Sequence, residues 1–181
     1  AYVSEKLAAA KKPLIFAGGG RWTPESARAI EKFAEINQIP VVHDFRASDR
    51  ISFSSPANAG WLGYGRNEHA AELLSEADVL LEVGALLTDV PSDGYTLRQD
   101  PHAENIVVNI DTGLRGHSGA ISRHILASPV ALAEALDNIN TGEISSAQSE
   151  WFKNARRAHQ EFSTIPSESD WRATSAGTAH M

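Results

Sequence analysis

Three glycine-bearing segments contain the residues whose types and spacing could do chemistry. They are AGGGRW (17–22), GWLGYGR (60–66) and EVGALLTD (82–89). Glycine lets a backbone approach a phosphate closely and point amide N–H groups at it, so each segment could form part of a nucleotide-binding loop. The same glycines could instead only permit tight turns and close packing between a strand and the next helix. The sequence leaves both interpretations open.

The first segment matches known phosphate-binding motifs only in part. Gly18 and Gly20 fit the first two glycines of the dinucleotide fingerprint Gly-x-Gly-x-x-Gly, but the third position is Thr23. Asp44 follows the second predicted strand, and its spacing downstream of the glycines is close to that of the acidic residue that binds a ribose in dinucleotide-binding folds. No Gly-Lys-Ser/Thr follows, so the segment is not a P-loop.

Other catalytic patterns are missing from the sequence. There is no cysteine, which excludes disulfides and thiolate or Cys-zinc sites. Neither His-Glu-x-x-His nor Gly-x-Ser-x-Gly occurs, and no two acidic residues can be placed together as acid and base. His43 and Asp44 at a strand end could bind a metal or act as a base, although a hydrogen-bonded structural role is the simpler interpretation. We therefore predict no catalytic and no metal-ligating residue. The seven histidines are His43, His69, His102, His117, His124, His159 and His180.

Composition narrows the class of partner. The 181 residues include 16 Lys and Arg against 23 Asp and Glu, a net charge of −7, which argues against a nucleic-acid or anionic-membrane surface. No apolar run approaches the roughly 20 residues that a transmembrane helix needs. The chain starts without methionine and without a leader, so we expect a piece of a longer cytoplasmic polypeptide.

Short apolar runs alternate with amphipathic helices. The predicted strands are 14–17, 39–43, 57–63 as an edge strand, 78–84, 105–111 and a weaker one at 123–127. The predicted helices are 4–12, stopped by Pro13, then one opened by Thr23-Pro24-Glu25, then 67–75, one opened by Ser128-Pro129, and 148–162.

Strands without polar alternation are buried on both faces, which predicts an α/β fold. We expect a Rossmann-like, doubly wound, mostly parallel sheet of six strands with helices on both faces. Ligands of such sheets bind beyond the carboxyl ends of the strands. The three glycine segments, together with Asp111 after the fifth strand, should meet there.

The composition changes near residue 140. NTGEISSAQSE (140–150) is small and polar and predicts a linker. The helix that follows places Trp151, Phe152, Ala155 and His159 on one face, and the tail containing Trp171 has no periodicity. We expect a domain over 1–140, and a linker helix and tail over 141–181.

Four blocks resemble the central domain of thiamine-diphosphate-dependent enzymes such as acetolactate synthase, pyruvate oxidase, benzoylformate decarboxylase and glyoxylate carboligase. They are AKKPLIFAGGG, AEINQIPVVHDF, GWLGYGRNEHAAELLSEADVLLEVGALL and NIVVNIDTG, and the likeness covers about residues 1–140. In that family the outer domains hold the thiamine-activating glutamate and the Gly-Asp-Gly…Asn motif for diphosphate and magnesium. This sequence has no Gly-Asp-Gly motif and no room for a catalytic domain.

The resemblance thus implies a non-catalytic central domain of a 2-oxo-acid decarboxylase or carboligase, inactive alone. Its partners would be the N- and C-terminal domains of the same polypeptide, in a homo-oligomer whose cofactors are thiamine diphosphate and Mg²⁺.

Some members of the family bind FAD or ADP in this domain. The resemblance implies cofactor positions at Gly18, Gly19, Gly20, Gly63, Tyr64, Gly84, Ala85 and Asp111. Leu86 replaces the arginine that would meet the flavin phosphates, and Ala127-Ser128 replaces an expected Gly-Asp. Both departures favour a cofactor-free scaffold over an FAD or ADP site.

Two other functions are compatible with a fold of this type. A stand-alone FAD-, NAD- or ADP-binding module of DHS-like fold would be distinguished by a flavin absorbance spectrum. A sirtuin-like NAD enzyme is disfavoured because the sequence lacks zinc ligands and a matching catalytic histidine.

Overall fold

The computed structural model describes residues 2–114, 121–136, 139 and 141–165. The strands are β1 (Pro13–Ala17), β2 (Val41–Asp44), β3 (Asn58–Leu62), β4 (Val79–Val83), β5 (Glu104–Asn109) and β6 (Arg123–Leu126). The helices are α1 (Tyr2–Ala9), α2 (Pro24–Ile36), α3 (Glu68–Glu76), α4 (Pro129–Ala135) and α5 (Ser146–Ser163), with a 3₁₀ turn at Ser48–Arg50. The predicted tail with Trp171, as well as His117 and His180, lies outside the described residues.

The six strands form one sheet in the order β3-β2-β1-β4-β5-β6, and every neighbouring pair is parallel. The predicted α/β, doubly wound fold is confirmed, and β3 is an edge strand as expected. The order reverses between β1 and β4, which makes their carboxyl ends the switch point of the sheet.

Alternate residues of β1 point to opposite faces and build two apolar layers. Ile15 packs with α1, α2 and α4, whereas Leu14 and Phe16 pack with α3 and α5. Every residue of β1 and β4 is buried, because these two central strands are covered on both sides.

Local capping explains where α2 begins. The Thr23 hydroxyl accepts from the Ser26 N–H, the Ser26 hydroxyl accepts from the Thr23 N–H, and Pro24 is the first helical residue. Such reciprocal caps satisfy amide groups that a helix start leaves unpaired.

Two boundaries differ from the sequence prediction. Helix α1 ends at Ala9 because the N–H groups of Lys11 and Lys12 donate to the Asp78 carboxylate, at 2.7 and 2.9 Å. Pro13 therefore begins β1 instead of stopping a helix. The predicted linker is helical from Ser146, since the Ser145 hydroxyl caps the Gln148 N–H.

Helix α5 packs against β3 and α3. The Trp151 indole donates to the Pro13 carbonyl at 2.9 Å, and the Gln148 amide donates to the Asn37 carbonyl at 2.7 Å. The helix therefore starts near the amino ends of the strands. No helix within the described ranges is long and apolar enough to span a membrane.

Candidate functional site

The carboxyl ends of β1 and β4 touch through backbone atoms. Gly19 has a φ of 64°, and a methyl group placed on it would lie 1.8 Å from the Gly84 carbonyl oxygen. A methyl group on Gly18 would lie 2.9 Å from the Ala85 Cβ. Gly20 is exposed, with no atom near such a methyl group. Two of the three glycines are thus required by close packing, and the third is not.

Trp22 fills the space beside this contact. Its indole N–H donates to the Gly18 carbonyl at 2.7 Å. A methyl group on Gly84, whose φ is 72°, would lie 2.8 Å from the indole nitrogen and 2.9 Å from the Pro129 Cγ. The side of the switch point that faces α4 is therefore occupied by the protein itself. In the sequence, only the position of Trp22 directly after Gly-Gly-Gly-Arg could have indicated that an aromatic ring packs here.

Arg50 is a second residue that the sequence did not point to. Its guanidinium donates to the Gly19 carbonyl at 2.7 Å and lies 5.5 Å from the centre of the Trp22 ring. It reaches the glycine run from the 3₁₀ turn, 31 residues away. Arg50 therefore holds the carbonyl side of the turn in place.

A groove of about 310 Å³ remains open on the other side of Gly19. It is lined by Gly19, Asp44, Arg46, Ala47, Ala85, Leu86 and Thr88. The Asp44 carboxylate accepts from the Arg46 N–H at 2.9 Å and lies 3.4 Å from the Arg46 Nε. One carboxylate and one guanidinium paired with each other give a phosphate little net attraction.

Gly63 and Tyr64 lie apart from that groove. Gly63 has a φ of 104°, and the Tyr64 ring meets the Phe45 ring edge-on at 5.2 Å. Both border a separate cavity of about 320 Å³ with Asp89, Val90, Asp93 and Gly94. Gly63 and Tyr64 therefore do not line the groove beside Gly19.

Arg21 and Arg66 lie close enough in sequence to the glycine segments to replace the arginine that is missing at position 86, but Arg66 is already paired. Its guanidinium binds the carboxylates of Glu68 and Asp93. Arg21 is exposed and has a φ of 63°. Only Arg21 keeps the freedom to turn toward a ligand.

Asp111 is exposed beyond β5. Its carboxylate accepts from the Gly113 N–H at 2.8 Å, and its own N–H donates to the Asn109 side chain at 3.0 Å. The Asn109 amide lies 3.5 Å from the Gly84 carbonyl, so Asn109 stands between Asp111 and the glycine contact. Gly18, Gly19, Gly84 and Ala85 thus meet at the strand ends, and Asp111 is linked to the Gly84 carbonyl through Asn109.

A buried acid anchors the loop that carries Leu86. Glu82 in β4 is 2% exposed, and its carboxyl group accepts from the Leu87 N–H at 2.7 Å. Burial raises the pKa of Glu82 to about 7. The sequence places Glu82 inside an apolar strand, but its raised pKa depends on how the surrounding residues pack around it.

Arg98 holds the far end of the same loop. It is buried with a φ of 61°, and it donates to the carbonyls of Ala77 at 2.6 Å and Glu104 at 2.8 Å and to the Asn105 side chain. Burial lowers the pKa of Arg98 to about 10. This is a structural clamp that the sequence pattern did not predict.

His43 is hydrogen-bonded within the fold. It is buried, its Nδ1 lies 2.8 Å from the Asp44 carbonyl, and burial lowers its pKa. Among the residues that the structure describes, no group of three His, Asp or Glu side chains could hold a metal ion. The described residues therefore offer no cluster that fits a divalent metal ion.

Comparison with known proteins identifies the relatives of this chain. The family model described as "Thiamine pyrophosphate enzyme, central domain" matches residues 1–136. A 3D-(3,5/4)-trihydroxycyclohexane-1,2-dione hydrolase of Clostridium perfringens is 27% identical over 83% of this chain and 24% of its own length. Proteins of the same name from Bacillus cereus and Bacillus anthracis are 28% identical over 86% of this chain and 25% of their own length. The chain spans about a quarter of these relatives.

Proposed function

Since the chain belongs to the family of thiamine pyrophosphate enzyme central domains, we propose that residues 1–140 are the non-catalytic middle domain of a longer enzyme. Residues 141–181 would lead toward its next domain. The other domains of the same polypeptide are then its partners, within a homo-oligomer in the cytoplasm. The stand-alone nucleotide-binding module is not favoured by the comparisons.

One observation supports a scaffold role most directly. At the switch point, where ligands of this fold class bind, Gly19 and Gly84 are in backbone contact and Trp22 fills the adjoining space. Gly18, Gly19, Gly84 and Ala85 therefore serve strand and loop packing. Gly20, Gly63, Tyr64 and Asp111 stay as the outer positions of an optional nucleotide site.

The relatives suggest the substrate class of the parent enzyme. Their name contains a cyclic 1,2-dione, and the 2-oxo acids that the family resemblance implies also carry a carbonyl next to a second carbonyl-type carbon. We propose that the parent cleaves a bond between two such carbons, with hydrolysis of a cyclic dione as the first candidate. Thiamine diphosphate would supply the carbon nucleophile and accept the electron pair of the broken bond. Decarboxylation or carboligation, as in acetolactate synthase, is the second candidate.

We further propose that FAD, NAD and ADP bind this chain weakly or not at all. A dinucleotide needs donors for its phosphates, and paired guanidinium donors are the strongest ones. Leu86 lines the groove, Arg46 is engaged by Asp44, and Arg66 is engaged by Asp93. Arg21 alone is a weak substitute for the phosphate-binding arginine that Leu86 replaces.

Calorimetric titration of the 181-residue chain with each nucleotide tests this proposal. We expect no dissociation constant in the low micromolar range. Such a constant, weakened by Arg21→Ala or Arg46→Ala and unchanged by Arg28→Ala on the exposed face of α2, would show that the glycine turn binds phosphate.

A parallel assay tests the non-catalytic role. The isolated chain should neither open a cyclic 1,2-dione nor release carbon dioxide from pyruvate or benzoylformate when thiamine diphosphate and Mg²⁺ are added. Turnover that depends on both additions would overturn the proposal.

A further inference from the structure

A second cavity lies between the carboxyl ends of β2 and β3 and the last turns of α5. Its volume is about 340 Å³, the size of pockets that hold small organic molecules. It does not share a lining residue with the groove beside Gly19. The lining residues are His43, Phe45, Ser48, Ile51, Phe53, Asn58, Trp61, Tyr64 and His159.

Six of these nine residues carry rings, and the rings are arranged in pairs. His43 stacks on Trp61 with centroids 6.3 Å apart, and the Phe53 ring meets His159 edge-on at 5.7 Å. Faces and edges of π systems are complementary to the edges and faces of another flat ring. A planar aromatic molecule suits this geometry better than a puckered one.

Among the side chains that the structure describes, no charged group lines the cavity. Its lining has no Asp, Glu, Lys or Arg, and burial lowers the pKa of both His43 and His159, which favours their neutral forms. Arg156 near His159 also lowers the pKa of that group, while Asp44 and Asp49 oppose the decrease at His43. A charged ligand would lose its hydration without gaining a counter-ion, which is costly.

His159 adds one hydrogen-bonding position. It is 2% exposed, its Nδ1 lies 3.5 Å from the Ser163 hydroxyl, and its Nε2 has no hydrogen-bond partner in the described part of the chain. Gly60 makes room for the ring, because a methyl group there would lie 3.2 Å from Nδ1. A buried polar nitrogen without a partner is destabilising, and a ligand hydroxyl or ring N–H would satisfy it.

Large rings are exposed around the opening. The exposed fraction is 68% for Phe53 and 72% for Tyr64. Contiguous exposed apolar patches on a protein surface often mark binding sites.

We propose that this cavity binds a small, uncharged, planar aromatic molecule of one or two fused rings that carries one hydrogen-bonding group. Its ring lies among Trp61, His43 and Phe53, and its polar group reaches His159. This site does not rest on the proposed scaffold function, since it shares no residue with the switch point and only Tyr64 with the outer nucleotide positions.

The test uses the full chain and three probes of matched size. These are 2-naphthol, the anion 2-naphthoate, and the saturated alcohol decahydro-2-naphthol, each titrated by calorimetry and by NMR of the imidazole C–H signals. We expect 2-naphthol to shift the His43 and His159 signals and to bind at least about tenfold more tightly than the other two. Absence of 2-naphthol binding at millimolar concentration, or equal affinity for naphthoate, would overturn the proposal.

Variants locate the site. Ser48→Leu narrows the cavity from an exposed position and should weaken 2-naphthol binding at least about tenfold, whereas Ser75→Leu on the exposed face of α3 should not change it. Phe53→Ala removes an exposed ring and should weaken binding without unfolding the chain. Unchanged affinity in a folded Ser48→Leu or Phe53→Ala protein contradicts the proposed location.

Discussion

At the scale of single residues, Gly19 shows why the glycine run is there. Its backbone is left-handed, and a side chain would overlap the Gly84 carbonyl. We expect Gly19→Val to lower the free energy of unfolding by about 1–3 kcal/mol or more, with no ligand present. Denaturant unfolding measures the change.

Gly20→Val is the matched control. Gly20 has open space around it and no left-handed φ, so the same substitution should leave stability nearly unchanged. Equal loss of stability in both variants would mean that the backbone contact with Gly84 is not what Gly19 serves.

Glu82 should make stability depend on pH. Its pKa is raised from 4.5 to about 7, so the folded state binds more protons than the unfolded state between these values. Stability should therefore fall as pH rises from 4.5 to 7 and stay level above pH 7. Glu82→Gln still accepts the Leu87 N–H but cannot ionise, so its stability relative to wild type should rise by up to about 3 kcal/mol between pH 5 and 8.

Urea unfolding at several pH values checks this prediction, with exposed Glu134→Gln as the control. The control should keep the wild-type pH profile. A Glu82→Gln profile parallel to that of wild type would show that the pKa of Glu82 is not raised in the folded protein.

At the scale of elements, Arg98 holds the long loop between β4 and β5. Lysine cannot reproduce the fork of donors that meets the carbonyls of Ala77 and Glu104. We expect Arg98→Lys to cost about 1.5–3 kcal/mol of unfolding free energy and to speed amide exchange over residues 85–97. Arg28→Lys, an exposed replacement on α2, should change neither, and slow exchange retained in Arg98→Lys would contradict the clamp.

The elements also show how far sequence patterns lead. Six apolar runs predicted six strands because residues buried on both faces lose polar alternation, and the Thr23-Pro24 pair predicted the start of α2. The predicted bounds of α1 differ by two residues at its start and by three at its end, and the predicted start of α5 differs by two residues. Helix α1 ends early because of Asp78, 67 residues from Lys11, and no local pattern contains that contact.

The candidate site could likewise be predicted from the sequence only in part. Topology brings the ends of β1 and β4 together, so Gly18, Gly19, Gly84 and Ala85 could be expected to meet. Trp22 and Arg50 were missed because the sequence does not state in which direction a loop side chain points.

At the scale of the whole molecule, α5 is part of the folded body. Ala155 is 1% exposed against α3 and β3. A buried, unpaired carboxylate is costly, so Ala155→Asp should lower the free energy of unfolding by about 3 kcal/mol or more. Ala147→Asp, exposed on the same helix, should be nearly neutral in thermal unfolding; a small effect at Ala155 would mean that α5 detaches freely.

The direction of α5 also affects the carboxyl edge of the sheet. Helices α2, α3 and α4 begin at that edge, whereas α5 starts near Pro13 and ends beside Trp61, where the Phe162 ring lies 5.7 Å away. Aligned peptide dipoles give a helix about half a positive charge at its first turn and half a negative charge at its last. The edge therefore carries the positive first turns of α2, α3 and α4, and α5, alone among the described helices, adds to it a negative helix end, beside β3, where it opposes the first turn of α3.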